Sequence, residues 1–142
     1  MSEQPPFSPT LALLTIGRSW DAELADELRS LGLTTRKYGL LGHVRGSPGI
    51  SFSELARRSR ITVQSVHTAV AGFVEAGLVE DVIGQAGSAS RLEVTADGEA
   101  LLSRAGELVR RLDDTFTSRH PQLADVLRVE VRRMLEGDLQ ID

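Results

Sequence analysis

The side chains with the richest chemistry in this chain are few and scattered. His43, His67 and His120 are the three histidines, and no HxH, HxxxH or carboxylate-paired spacing links them, so no metal site is expected. There is no cysteine, which removes disulfides, thiolate zinc sites, a cysteine nucleophile and thiol-based redox sensing together. No GxSxG elbow, phosphate-cradling glycine loop or framed carboxylate pair occurs, and Gly84-Gln85-Ala86-Gly87 sits between two strand-like stretches as a turn. An enzyme is therefore not expected, nor a cofactor. What remains is charge. Fifteen of the sixteen basic residues are Arg, whose planar fork suits phosphate, although a codon bias of the source genome would give the same count.

The charge is unevenly placed. Residues 1–33 hold two Arg against five Asp/Glu, residues 34–95 seven Lys/Arg against five, and residues 96–142 seven against ten, so net charges of −3, +2 and −3 sum to −4. A basic middle between acidic ends permits one basic face and argues against a uniformly nucleic-acid-binding surface. The chain's 142 residues, 41% hydrophobic and 25% charged, have the composition of one globular domain. The N-terminus has no basic n-region and no window approaches about 18 apolar residues. A soluble cytoplasmic protein without membrane contact is expected.

The groups that matter are positioned by helices. From Thr10 to Leu31, Leu13, Trp20, Leu24, Leu28 and Leu31 recur at helical steps, opposite Asp21, Glu23, Asp26 and Glu27. Thr34 or Thr35 caps a second helix through Tyr38, Leu40, Leu41 and Val44, which ends at Gly46-Ser47-Pro48-Gly49. Ser51-Phe52-Ser53-Glu54 fits a capping box, with the Ser hydroxyl and Glu carboxylate each taking a free backbone N–H. After a turn at 59–61, Thr62 caps a fourth helix with Val66, Ala69, Val70, Phe73 and Val74 inward. Two short helices joined by such a turn predict a helix-turn-helix.

Leu78 to Ile83 and Ser90 to Val94 read as a hairpin following Gly77, hence a wing. Thr95 caps a fifth helix with Leu101, Ala105, Leu108, Leu112 and Phe116 on one face, and Pro121 opens a sixth with Leu123, Val126, Leu127, Val131 and Met134. The terminal helices carry more apolar surface than a small winged-helix core can cover. Either they interdigitate in a two-fold homodimer, through Leu13, Leu108, Leu112, Phe116, Leu123, Leu127 and Val131, or they build a larger monomeric core; the dimer is the commoner solution. The expected fold is mainly α with a small β-hairpin wing. It divides into an N-terminal dimerisation helix (1–33), a winged helix-turn-helix (34–95) and C-terminal dimerisation helices (96–142).

These strings, in this order, resemble the MarR family of winged-helix transcriptional regulators. Leu33-Thr34-Thr35-Arg36-Lys37-Tyr38-Gly39-Leu40-Leu41 is similar to the family's LTxxQ(W/F)xVL, and Ser53-Glu54-Leu55-Ala56 to its helix-turn-helix start. Gly77-Leu78-Val79 resembles the GLV before the wing, and Val94-Thr95-Ala96-Asp97-Gly98 the LTxxG after it. The resemblance implies a dimeric regulator, often a repressor, that binds a pseudo-palindromic site in double-stranded DNA. Its fourth helix would enter the major groove and its wing the minor groove. Val63, Gln64, His67, Thr68 and Ala71, opposite the core-facing set, would then read bases. Gln64 is suited to a bidentate contact with adenine, and Val63 or the Thr68 methyl to thymine methyls. Arg36, Lys37, Arg57, Arg58, Arg60, Thr62 and Ser65 would contact the backbone. With Arg91 these include six of the seven basic residues of the middle segment.

Two departures stand out. The family's Asp-x-Arg wing motif falls here on Ala86 and Ser88, and Thr68 replaces a frequent Arg. Arg91 either substitutes for the wing contact or is a solvated strand residue. Both departures predict modest affinity and a shallow salt dependence, and they sustain an alternative, a winged-helix protein-interaction module with weakened or lost DNA binding. The resemblance also implies a small aromatic or lipophilic effector, for which Arg18, Trp20, Tyr38 and His43 are the candidate lining; Trp20 reads equally as core, and His43 as a hydrogen-bonded imidazole.

Overall fold

A computed structural model describes residues 4–83 and 90–138, and of Ile83, Ser90 and Asp138 the backbone only. In chain order its elements are α1 (Pro9–Arg29), α2 (Thr35–Gly46), α3 (Phe52–Ser59), α4 (Val63–Glu75), β1 (Val79–Ile83), β2 (Ser90–Val94), α5 (Ala96–Arg119) and α6 (Pro121–Asp138). The expected mainly helical fold with one antiparallel hairpin is found.

Local chemistry accounts for most helix starts. Ser8, Thr34, Ser51 and Thr62 each stand at an N-cap in extended backbone, and their hydroxyls accept from Leu11, Lys37, Glu54 and Ser65 N–H respectively. Thr34, not Thr35, is thus the cap of α2, and Ser8 with Pro9 starts α1 one residue earlier than the apolar pattern suggested. The capping box at α3 is only half formed. Ser51 Oγ takes the Glu54 N–H at 3.1 Å, but the Glu54 carboxylate turns to Arg57 and Arg58 instead. Charge-assisted bonds to two guanidiniums outcompete one backbone amide.

The first compact unit is Met1–Gly106. Its core joins Leu28 of α1, Leu40, Leu41 and Val44 of α2, Leu55 and Ala56 of α3, Val66, Val70 and Phe73 of α4, Val79 and Leu92 of the hairpin, and Leu102 and Ala105 of α5. Compactness therefore extends beyond residues 34–95 at both ends. Val74 departs from expectation: it is 44% exposed on the outer side of α4, because the inward stripe is already filled by Val66, Val70 and Phe73.

The hairpin pairs Val79 with Val94 and Val82 with Arg91. Its root is tied on both sides. Thr95 N–H donates to Leu78 O at 3.0 Å, and Thr95 Oγ1 donates to Gly77 O and accepts from Gly98 N–H at 3.1 Å. On the other flank Ile50 bridges Leu92, with Gly49 N–H on Leu92 O at 2.9 Å and Leu92 N–H on Ile50 O at 3.3 Å. Gly98 closes the root by lacking a side chain: a Cβ there would overlap the Leu78 carbonyl oxygen and lie 2.6 Å from Val94 Cγ1.

The second unit is Glu107–Asp142. Leu108, Leu112, Phe116, Leu123 and Leu127 are half-buried in it, and the Phe116 and His120 rings lie 5.5 Å apart. Val126, Val129, Val131, Met134 and Leu135 are 53–68% exposed. No described side chain of α6 is fully buried. In the first unit α1 is similar, with Leu11, Leu13, Leu14 and Ile16 exposed and only Leu28 buried. Among the described residues no helix is long and apolar enough to cross a membrane.

Candidate nucleic-acid interface

The candidate interface is built on the turn between α3 and α4. α3 ends at Arg60, whose φ of 54° and ψ of 41° lie in the left-handed region, where glycine is usual. The Arg60 and Ile61 N–H groups donate to Arg57 O and Ala56 O at 3.3 and 3.2 Å, closing the helix C-terminus. Ile61 packs against the core, and Thr62 then starts α4, with its Oγ1 3.1 Å from Ser65 N and 2.9 Å from Ser65 Oγ.

On α4 the two faces separate cleanly. Val66, Val70 and Phe73 are buried, whereas Val63, Gln64, His67, Thr68 and Ala71 are exposed. Two members of the exposed set are positioned by neighbours. The His67 ring stacks on Phe52 with centroids 4.3 Å apart and planes 12° from parallel, which fixes the plane of the imidazole. Thr68 Oγ1 donates to Gln64 O at 3.2 Å, which fixes its side-chain rotamer. The Phe52 contact joins residues fifteen positions apart on two helices, and no periodicity signals it.

The basic groups fall into three sets. Arg36 and Lys37 are exposed in the first turn of α2. Arg57 and Arg58 converge on one carboxylate: Arg57 forks onto Glu54 with Nε–Oε2 at 2.9 Å and Nη2–Oε1 at 2.6 Å, while Arg58 Nε reaches Oε1 at 2.8 Å. Arg58 Nη1 also donates to Ser47 Oγ at 2.7 Å. The Arg57 hydrogen bonds first, then those of Arg58, pull the Glu54 carboxyl down to about 2. This fork was open to sequence reasoning, because Glu at i with Arg at i+3 and i+4 shares one helix face. Arg60 is the third set, held at the turn by its own backbone. Arg91 is exposed on β2, and its Cδ would lie 3.8 Å from a Cβ on Gly49. Ala86 and Ser88 lie outside the described residues.

The four candidate effector residues are divided between α1 and α2. Arg18 is exposed and Trp20 half-buried on α1, Tyr38 packs against the core, and His43 lines a cleft with Arg36, Arg58 and Arg60. Among the described residues no group of three or more potential ligands is arranged to hold a metal ion.

A helix-turn-helix with a hairpin root behind it and a solvent-facing polar stripe on its second helix defines a winged-helix protein. The comparisons with known proteins specify it further. A MarR-family profile matches residues 31–85. The HTH-type transcriptional repressor Rv2887 of Mycobacterium tuberculosis is 33% identical over 125 residues, covering 87% of this chain and 88% of that protein. The chain belongs to the MarR family of transcriptional regulators, and the family is not one of enzymes. The crystal structure of Rv2887 in complex with DNA superposes with a TM-score of 0.71 at 31% identity, covering 92% of this chain and 97% of that one. Its complex with salicylic acid gives 0.68 at 31%, covering 96% and 98%. Apo MarR from E. coli, 17% identical, shares the fold with a TM-score of 0.78 over 92% of this chain and 99% of that one.

Proposed function

We propose that the chain is a homodimeric, DNA-binding transcriptional repressor of a pseudo-palindromic operator, released by a small aromatic or lipophilic effector. The observation that carries this is the division of α4. A buried stripe fixes the helix, and an outer row of Val63, Gln64, His67, Thr68 and Ala71 is free to meet base edges. Gln64 reads adenine through its amide, His67 donates from a ring held on Phe52, and the Thr68 methyl and Val63 meet thymine. Arg36, Lys37, Arg57, Arg58, Arg60, Thr62 and Ser65 engage phosphates around this row, and Arg91 the backbone near the wing. The relative crystallised with DNA supports this reading, and the same relative with salicylic acid supports an acidic aromatic effector.

Residues 1–33 and 96–142 supply the dimer contacts, through Leu13, Leu108, Leu112, Phe116, Leu123, Leu127 and Val131. The exposed apolar faces of α1 and α6 support that assignment. We extend the proposed set to Leu11, Leu14, Ile16 and Leu135, which are also exposed.

The test is a fluorescence-anisotropy titration against the chain's own upstream DNA with random competitor. Competitor-resistant binding is expected from the unmodified protein. Combined Gln64→Ala and His67→Ala substitution should remove roughly 2–6 kcal/mol of sequence discrimination, about 1–3 kcal/mol per base contact. Unchanged discrimination would reject the role given to α4. Only salt-labile, competitor-sensitive binding by the unmodified chain would favour the protein-interaction module.

A further inference from the structure

We propose that the cleft between the start of α2 and the α3–α4 turn is a binding site for one phosphate-class oxyanion. The cleft encloses about 430 Å³ and is lined by Arg36, Gly39, His43, Arg58, Ser59 and Arg60, among others, with no carboxylate among the described residues of its wall. Three arginines lining one space are suited to a doubly charged group. Arg58 is already oriented: its Nε and Nη1 are fixed on Glu54 and Ser47 at 2.8 and 2.7 Å, and Nη2 takes part in neither bond.

Ser59, which also lines the cleft, points to an occupant. Ser59 Oγ is buried and has no hydrogen-bond partner, although buried hydroxyls nearly always find one. Gly39 stands in mid-helix at the cleft, and a Cβ there would meet nothing within 4 Å. That open position can take a larger side chain without meeting neighbouring atoms at its Cβ. Thr35 and Arg36 also line it, and the free N–H groups of a first helical turn favour anions.

The volume exceeds that of a bare phosphate and lies in the range of small-molecule pockets. The group can therefore come from a nucleic-acid backbone or from a free phosphorylated compound. The two would exclude each other, since Arg36, Arg58 and Arg60 are also proposed backbone contacts; only this competition rests on the proposed DNA-binding role.

Inorganic phosphate is titrated into the full chain without DNA, against chloride at matched ionic strength, with amide NMR as the readout. Saturable phosphate-specific shifts at Gly39, Ser59 and Arg60 are expected. Gly39→Met, which fills the cleft and leaves every charge in place, should weaken them at least about tenfold, with thermal stability not lowered. Ser59→Ala should weaken them by a smaller factor. Shifts that follow ionic strength equally in both salts, or that survive Gly39→Met unchanged, would overturn the site. Anisotropy with DNA then identifies the source. An equal loss of DNA affinity in Gly39→Met assigns the cleft to the backbone, and DNA affinity held within about twofold assigns it to a free phosphate compound. Phosphate saturation in a chain that binds no DNA would refute the DNA-binding role and leave this site standing.

Discussion

Arg60→Gly should move stability and DNA affinity in opposite directions. Arg60 holds φ 54° and ψ 41° at the end of α3, a conformation that costs an L-residue about 1–2 kcal/mol. Glycine adopts it without that penalty but loses more backbone entropy on folding, roughly 0.5–1 kcal/mol. The expected net gain is about 0.5–1 kcal/mol, which for a chain of this size raises Tm by about 2–4 °C at fixed protein concentration. The same change deletes a cation from the turn. Removing one cation from a DNA phosphate should make the slope of log K against log salt shallower by about 1. Calorimetry and anisotropy at several salt concentrations read the two effects separately. A fall in Tm would mean that the Arg60 side chain stabilises the turn by more than its backbone costs. An unchanged salt slope with a raised Tm would exclude Arg60 from the phosphate-binding set.

Glu54 yields a prediction in pH. Its carboxyl is held at about 2, below its ordinary 4.5, so its contribution to stability is complete above about pH 4.5 and is lost as pH falls through about 2. An NMR titration of the Arg57 and Arg58 Nε–H signals should find the fork intact at pH 5 and its midpoint near pH 2; a midpoint near 4.5 would refute the pairing. Glu54→Gln frees two guanidiniums and should steepen the salt slope by about 1, read by anisotropy. Gly98→Ala drives a methyl into the Leu78 carbonyl and Val94 and should cost about 1–3 kcal/mol or more, seen as a fall in the urea midpoint. Val131→Asp, on the exposed face of α6, should convert a dimer to single chains in size-exclusion light scattering while leaving the far-UV spectrum of the first unit intact.

How much of this was legible depended on how local the cause was. Ser51 and Thr62 announce their helices because a hydroxyl and an amide three residues apart are one interaction, complete within the string. Gly98 was legible as part of a motif, but its reason, a carbonyl from Leu78 twenty residues earlier, needed the fold. Arg60 reads from sequence as a cation only, since an arginine gives no warning of a left-handed turn. Glu54 was assigned to the wrong partner because the capping box and the i, i+3 and i+4 ion pairs compete for one carboxylate, and pattern alone does not rank them. The cleft between α2 and the α3–α4 turn was not legible at all. Arg18, Trp20, Tyr38 and His43 are grouped because the first two helices should meet near them; that His43 also lines a cleft with Arg58 and Arg60 depends on the α3–α4 turn and needed the fold.

The double anchoring of the hairpin root has a mechanical consequence. β2 is bonded to β1 on one edge and to the Ile50 segment before α3 on the other, and Thr95 ties the hairpin to the end of α4. Neither the hairpin root nor α4 can tilt without breaking backbone bonds to the other, so the lobe behaves as a single lever. A substitution that removes either tie would let the hairpin root and α4 shift independently while leaving every side chain of the exposed row on α4 unchanged.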